Sequence, residues 1–203
     1  MALTSAAIPP LATWHWLKGV VQHRGVRPWR GLPDLVLFDR DGTLVHDVAY
    51  NRDPALVRPV DGASEALTRL RSAGVRTGVI TNQSGVARGL ISPAELADVN
   101  ARIDELLGPF DVWEVCPHGP EDGCGCRKPA PGMVKHACRE LDVEPSRSVV
   151  VGDIGTDVEA AEAAGAVGVL VPTAQTRASE VRSARRCHVD LSTAVDRVLA
   201  GDW

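Results

Sequence analysis

From residue 34 onward, short unbroken apolar runs alternate with longer stretches in which apolar residues recur every three or four positions. The runs "DLVLFD" (34–39), "VRTGVIT" (75–81), "DVWEVC" (111–116), "RSVVVG" (147–152) and "AVGVLV" (166–171) predict strands. The helical spacing predicts helices over 61–74, closed by Gly74, and over 92–108, 131–141, 156–165 and 191–201. The second of these carries a start signal, with Ser92 as N-cap, Pro93 at the first helical position and Glu95 placed to complete a capping box. The polar segment 174–190 reads as loop. Strands that are apolar throughout, rather than alternating, belong to a parallel sheet covered on both faces. The expected fold is therefore α/β, a Rossmann-like three-layer sandwich with a central parallel sheet spanning 34–203. Residues 1–33 lack a clean period and carry Trp14, Trp16 and Trp29. They read as an N-terminal extension of unknown role, one that either docks on the domain through its indoles, is partly disordered or reflects a misassigned start.

The totals narrow the class. A chain of 203 residues with 44% hydrophobic and 24% charged residues is enough for one packed soluble domain. A net charge of −4 offers no basic footprint for nucleic acid. No apolar run reaches membrane-span length, and the opening "MALTSAAIPP" lacks the early cation of a signal peptide. The expectation is a cytoplasmic protein with no membrane partner, in which five cysteines serve as thiols or metal ligands.

In parallel α/β sheets, sites form at the carboxyl ends of the strands. Asp39, Thr81 and Cys116 end three of the predicted strands, and Asp153 follows a fourth. Asp39 and Asp41, two positions apart on extended backbone, project to one side, and Gly42 allows a sharp turn behind them. Such a pair repels unless a cation or a proton lies between its members. A divalent metal, Mg²⁺ by its preference for oxygen ligands, fits there with Asp153 as a further ligand. A bare pair of this kind also fits a solvated turn.

The longer pattern "DRDGT" (39–43) resembles the first motif of the haloacid dehalogenase (HAD) superfamily. "VITNQSG" with Thr81, "CRKPAPGM" with Lys128, and "VVVGDIGTD" with Asp153 and Asp157 resemble its other three, in order. The resemblance implies an Mg²⁺-dependent phosphatase. Asp39 would be the nucleophile and Asp41 the acid–base group. Thr81 and Lys128 would hold the phosphoryl group. Mg²⁺ would sit on Asp39, Asp153 and the main-chain carbonyl of Asp41. Asp157 either orients that metal or caps the following helix.

Cys116, His118, Cys124 and Cys126 lie within eleven residues, a complete tetrahedral set for a structural Zn²⁺. Cys138 reads as core and Cys187 as a bystander. With the zinc loop, "TNQSGVARG" and only about twenty residues between the first motif and the first helix, the chain resembles the capless HAD branch of heptose bisphosphatases and histidinol-phosphate phosphatases. That branch implies a small phosphorylated substrate, a sugar phosphate first and histidinol phosphate or another phosphomonoester second. By resemblance, Asp47, Tyr50, Asn82, Gln83, Ser84 and Arg127 contact it. Ile154 departs from the branch, which often carries a basic residue there. A zinc-stabilised module without catalysis is the weakest alternative. A monomer is expected.

Overall fold

The computed structural model describes residues 31–203; the Trp-bearing extension lies outside the described residues, apart from its last three positions. Five strands, β1 (Leu35–Phe38), β2 (Arg76–Asn82), β3 (Val112–Cys116), β4 (Ser148–Gly152) and β5 (Val167–Leu170), form one sheet in the order β3-β2-β1-β4-β5. All pairings are parallel. The chain winds outward from β1 through β2 to β3, then returns to the other side of β1 for β4 and β5. The reversal opens a crevice at the carboxyl ends of β1 and β4, where this sheet class places its ligands.

Helices α1 (Ala63–Ser72), α2 (Pro93–Leu107) and α6 (Leu191–Leu199) cover one face, and α3 (Gly132–Glu140) and α4 (Gly155–Ala164) the other. The pleat sorts β1 between two cores: Val36 and Phe38 pack with Leu67, Ile103 and Val195, while Leu35 and Leu37 pack with Met133, Ala137 and Ala161. The expected capping box at α2 is present: Glu95 N donates to Ser92 Oγ at 3.2 Å, and Ser92 N donates to Glu95 Oε2 at 2.8 Å. Gly74 takes φ +77°, the left-handed turn that stops the chain after α1.

One expectation fails. The 174–190 segment is not all loop but contains α5 (Ala178–Ser183). This helix buries none of its residues, so it leaves no apolar period to read. A local device starts it: Arg177 N donates to Glu180 Oε2 at 2.8 Å. Just beyond, Leu170 N donates to Arg186 O and His188 N donates to Leu170 O, both at 2.9 Å, so the stretch around exposed Cys187 borders β5. Cys138 is core, as expected, 2% exposed. No helix among the described residues is long and apolar enough to cross a membrane.

Candidate active site

Asp39 sits where β1 ends, its N–H donating to Val151 O at 2.9 Å. Its carboxylate is buried and meets Lys128, whose Nζ lies 2.5 Å from Asp39 Oδ1. The same ammonium lies 2.6 Å from Asp157 Oδ1 and donates to Ile80 O at 3.0 Å. Two hydrogen bonds and an ion pair thus hold a buried cation at one point between two carboxylates.

Asp41 has other partners. Arg40 Nε lies 3.1 Å from both its oxygens, Arg40 Nη2 donates to Oδ2 at 2.8 Å, and Gln83 Nε2 donates to the same oxygen at 2.8 Å. Gln83 Nε2 also donates to Thr81 Oγ1 at 2.8 Å. Behind the pair, Gly42 takes φ +82°, and a Cβ there would fall 2.5 Å from Asp153 Oδ2. Only glycine supplies both that backbone angle and that clearance. Asp153 is steadied from the loop after β5: Thr173 Oγ1 donates to its Oδ2 at 3.2 Å and Thr176 Oγ1 to its carbonyl at 2.5 Å. Asp39, Asp153 and Asp157 each offer an oxygen within 4.8 Å of the others. Three buried carboxylates facing one lysine leave excess negative charge, which is the donor set of a hard cation.

The cysteine cluster assembles. Cys116 Sγ lies 3.7 Å from Cys124 Sγ and 3.2 Å from Cys126 Sγ; His118 Nδ1 lies 3.6 and 3.2 Å from the sulfurs of Cys116 and Cys126. Tetrahedral zinc bonds imply separations of roughly 3.7 Å between sulfurs and 3.6 Å between sulfur and nitrogen, so the four groups fit Zn²⁺ through Nδ1. The thiols are electrostatically awkward without a cation. Burial and hydrogen bonding to Cys126 push Cys116 up to about 12. Burial acts upward on Cys124 too, but hydrogen bonds from the Arg127 backbone and the neighbouring thiols bring it down to about 7. The loop is tied to the carboxylate site twice. Asn82 brackets Lys128, accepting from its N–H at 3.1 Å and donating to its carbonyl at 3.2 Å. Gln83 N donates to Cys116 O at 2.7 Å.

These groups open on a cleft of about 320 Å³ lined by Asp39, Asp41, Thr81, Lys128 and Asp153. Two family models match the chain: haloacid dehalogenase-like hydrolase over residues 36–114 and HAD-hydrolase-like over 125–195. The D-glycero-beta-D-manno-heptose-1,7-bisphosphate 7-phosphatase of Bordetella bronchiseptica is 38% identical over 148 residues, which are 70% of this chain and 83% of that protein. Its counterpart in Pseudomonas aeruginosa is 41% identical over 144 residues, 68% and 81% of the two chains. The chain belongs to the haloacid dehalogenase-like hydrolases. It is a phosphatase of that family, a phosphoric monoester hydrolase. The crystal structure of D,D-heptose 1,7-bisphosphate phosphatase from B. bronchiseptica, complexed with magnesium and phosphate, superposes with a TM-score of 0.75 at 34% identity, covering 82% of this chain and 98% of that one.

Within this HAD site, the residues nominated for substrate contact divide. Asp47, Tyr50, Asn82, Gln83 and Ser84 line the cleft; Arg127 does not, and its Nη1 instead donates to His118 O at 3.2 Å. Tyr50 is held at φ +51° with its hydroxyl accepting from Arg88 Nη1 at 2.7 Å. Asp47 accepts from Gln175 at 3.1 Å across the mouth. The side-chain amides of Asn82 and Gln83 are spent inside the protein, on Lys128 and on Asp41 with Thr81. Asp157 caps α4 by accepting from Ile154 N at 3.2 Å, and it pairs with Lys128 beside Asp39 and Asp153. The sequence reading passed over Arg40, Thr173 and Thr176. Thr173 lies in the loop just after β5, so the strand-end rule could have found it.

Burial pushes the Asp39 carboxyl up to about 8 against the pull of Lys128, and burial with the nearby Asp157 lifts Asp153 to about 6. Both values exceed the ordinary 3.8 of the unfolded chain. In the fold these two carboxyls therefore bind protons that the unfolded chain has released, and their contribution to stability falls as pH rises from about 4 to 8. A divalent cation must displace those protons, so its apparent affinity rises with pH. We expect Mg²⁺ to raise the melting temperature more at pH 8 than at pH 6. A Mg²⁺ dissociation constant unchanged over that range, measured by calorimetry, would contradict the proton competition.

Proposed function

We propose that the chain is an Mg²⁺-dependent phosphatase that removes the 7-phosphate of D-glycero-β-D-manno-heptose 1,7-bisphosphate, with Asp39 as nucleophile and Asp41 as the acid–base group. The observation that carries the chemistry is the buried Asp39 carboxylate, pinned by Lys128 at the crevice of the sheet and sharing one cleft with Asp41. The substrate reading rests on likeness to the heptose enzymes.

A carboxylate oxygen of Asp39 attacks phosphorus while the bond to the sugar oxygen breaks. Asp41 gives that oxygen its proton, so the sugar leaves as an alcohol. The recharged Asp41 then takes a proton from a water that attacks the aspartyl-phosphate. The bond between phosphorus and Asp39 breaks, releasing inorganic phosphate and restoring both carboxyl groups. Thr81 accepts from Gln83, which leaves its own O–H to donate to a phosphoryl oxygen. Lys128 offsets charge on Asp39 and on the phosphoryl group as it arrives. Mg²⁺, held by Asp39, Asp153 and the main-chain carbonyl of Asp41, would supply the positive charge that lets an anionic nucleophile meet an anionic phosphate. Zn²⁺ on Cys116, His118, Cys124 and Cys126 would fix the loop that carries Lys128.

One observation favours a second reading, histidinol phosphate or another small phosphomonoester. The apolar Ile154 lines the cleft and Arg127 does not, so a second phosphate finds few cations there. Phosphate release from heptose 1,7-bisphosphate and from histidinol phosphate, run side by side with Mg²⁺ and with EDTA, decides. We expect Mg²⁺-dependent release from the bisphosphate, at least about tenfold faster by kcat/KM. The reverse order supports the second reading, and feeble rates on both reject the two together.

A further inference from the structure

Arg40 is the largest fully buried side chain among the described residues, 2% exposed, yet no step of the mechanism uses it. Its neighbour in sequence is its partner in space: the guanidinium wraps back to grip both oxygens of Asp41. A grip between adjacent residues could swing as a unit, but this one is fastened at the far end. Arg40 Nη1 donates at 2.8 Å to Oδ1 of Asn100, a residue of α2 sixty positions away. On either side of Asn100 along the helix, Val99 and Ile103 are sunk in the core. The main chain is fastened as well, Arg40 O accepting from Leu44 N at 3.0 Å and Val45 N at 3.1 Å. A planar guanidinium with one edge on a carboxylate and its remaining nitrogen on an amide oxygen leaves little rotational freedom.

We infer that Asn100 and Arg40 form a strut that positions the Asp41 carboxylate for proton transfer to the leaving oxygen. The inference rests on the reading of Asp41 as proton donor. Arg40 and Asn100 are positioning residues: they act through Asp41. Gln83 meets the same carboxylate from the loop just after β2, so Asp41 is braced from two sides, and Asn100 links that brace to α2.

The test uses leaving-group chemistry. An alkoxide leaving from a sugar phosphate needs a proton as its bond breaks, whereas p-nitrophenolate leaves without one. The ratio kcat/KM covers steps up to departure of the first product, so it isolates the acid role from the later hydrolysis. We expect Asn100→Ala and Arg40→Lys to lower kcat/KM for heptose 1,7-bisphosphate at least about tenfold, and to leave it within about twofold for p-nitrophenyl phosphate. Asn100→Asp, which keeps an acceptor for Arg40, should restore the wild-type ratio. Melting curves and Mg²⁺ affinity identify any variant that has merely lost its fold. Equal losses on both substrates, or none on either, in a folded Asn100→Ala would overturn the strut. Asp41→Asn separates the two ideas: if it shows no leaving-group split, the proton-donor reading fails, and if it shows the split while Asn100→Ala does not, only the strut fails.

Discussion

Asp39→Asn should abolish turnover, lowering kcat by at least about 10⁴-fold, while the protein stays folded. The size follows from the role. An amide is a poor nucleophile toward phosphorus, and Asp41, the other carboxylate that enters the cleft beyond β1, is engaged by Arg40 and Gln83. Retention of the fold follows from the charges around Lys128. In the native protein one ammonium faces two carboxylates, at 2.5 and 2.6 Å. Neutralising Asp39 leaves a matched Lys128–Asp157 pair rather than a stranded cation. It also removes a carboxyl whose burial already pushes it up to about 8. Removing one partner of a buried pair usually costs a few kcal/mol because the other is left alone. Here nothing is left alone, so the change in stability should stay within about 2 kcal/mol, read by urea titration. A folded variant that still releases phosphate at a tenth of the native rate would remove Asp39 from the mechanism.

Stripping zinc should be almost as damaging, by a different route. On the reading proposed above, the metal joins Cys116, at the end of β3, to Cys124 and Cys126 just before Lys128. Residues 121–123 of the intervening loop are exposed and form no helix or strand. Without the cation, the three thiols, with Cys116 3.7 Å from Cys124 and 3.2 Å from Cys126, must take up protons and separate. The Lys128 backbone moves with them, and the ammonium leaves Asp39. Cys126→Ser should therefore lower zinc content from about one ion per chain toward none. It should also lower the melting temperature by several degrees and cut kcat by about 10²-fold or more at saturating Mg²⁺. Metal analysis, thermal unfolding and phosphate release measure the three. Full activity in a zinc-free protein would disconnect the loop from the chemistry, whereas Asp39→Asn should keep its zinc.

The five strands and the helices that cover them were legible because burial on both faces forces runs such as "LVLF" and "SVVVG" to be apolar throughout. Ser92-Pro93 and Glu95 announced α2 through chemistry that needs no tertiary context. Helix α5 was not legible, since a helix that buries nothing carries no period. The carboxylates, Thr81 and the zinc set could be read because they crowd at strand ends or within eleven residues of chain, and Lys128 because "CRKPAPGM" resembles a motif of the family. The partners that hold them could not. Asn100 reaches Arg40 across sixty positions, and Thr173 reaches Asp153 across twenty. Gln83 reads in sequence as a residue facing substrate, yet its amide is consumed by Asp41 and Thr81. Contacts of that kind depend on which loops the sheet order brings together, and sequence spacing does not carry the sheet order.

The central claim is that the Asp39 side chain becomes covalently phosphorylated in each catalytic cycle. Rapid quenching during turnover, borohydride reduction of the acyl phosphate to an alcohol, and mass spectrometry of the peptide spanning β1 test it directly. The aspartyl-phosphate mechanism requires homoserine at position 39, formed only when substrate and Mg²⁺ are both present. An unmodified Asp39 during active turnover, or the reduced residue at another carboxylate, would contradict it.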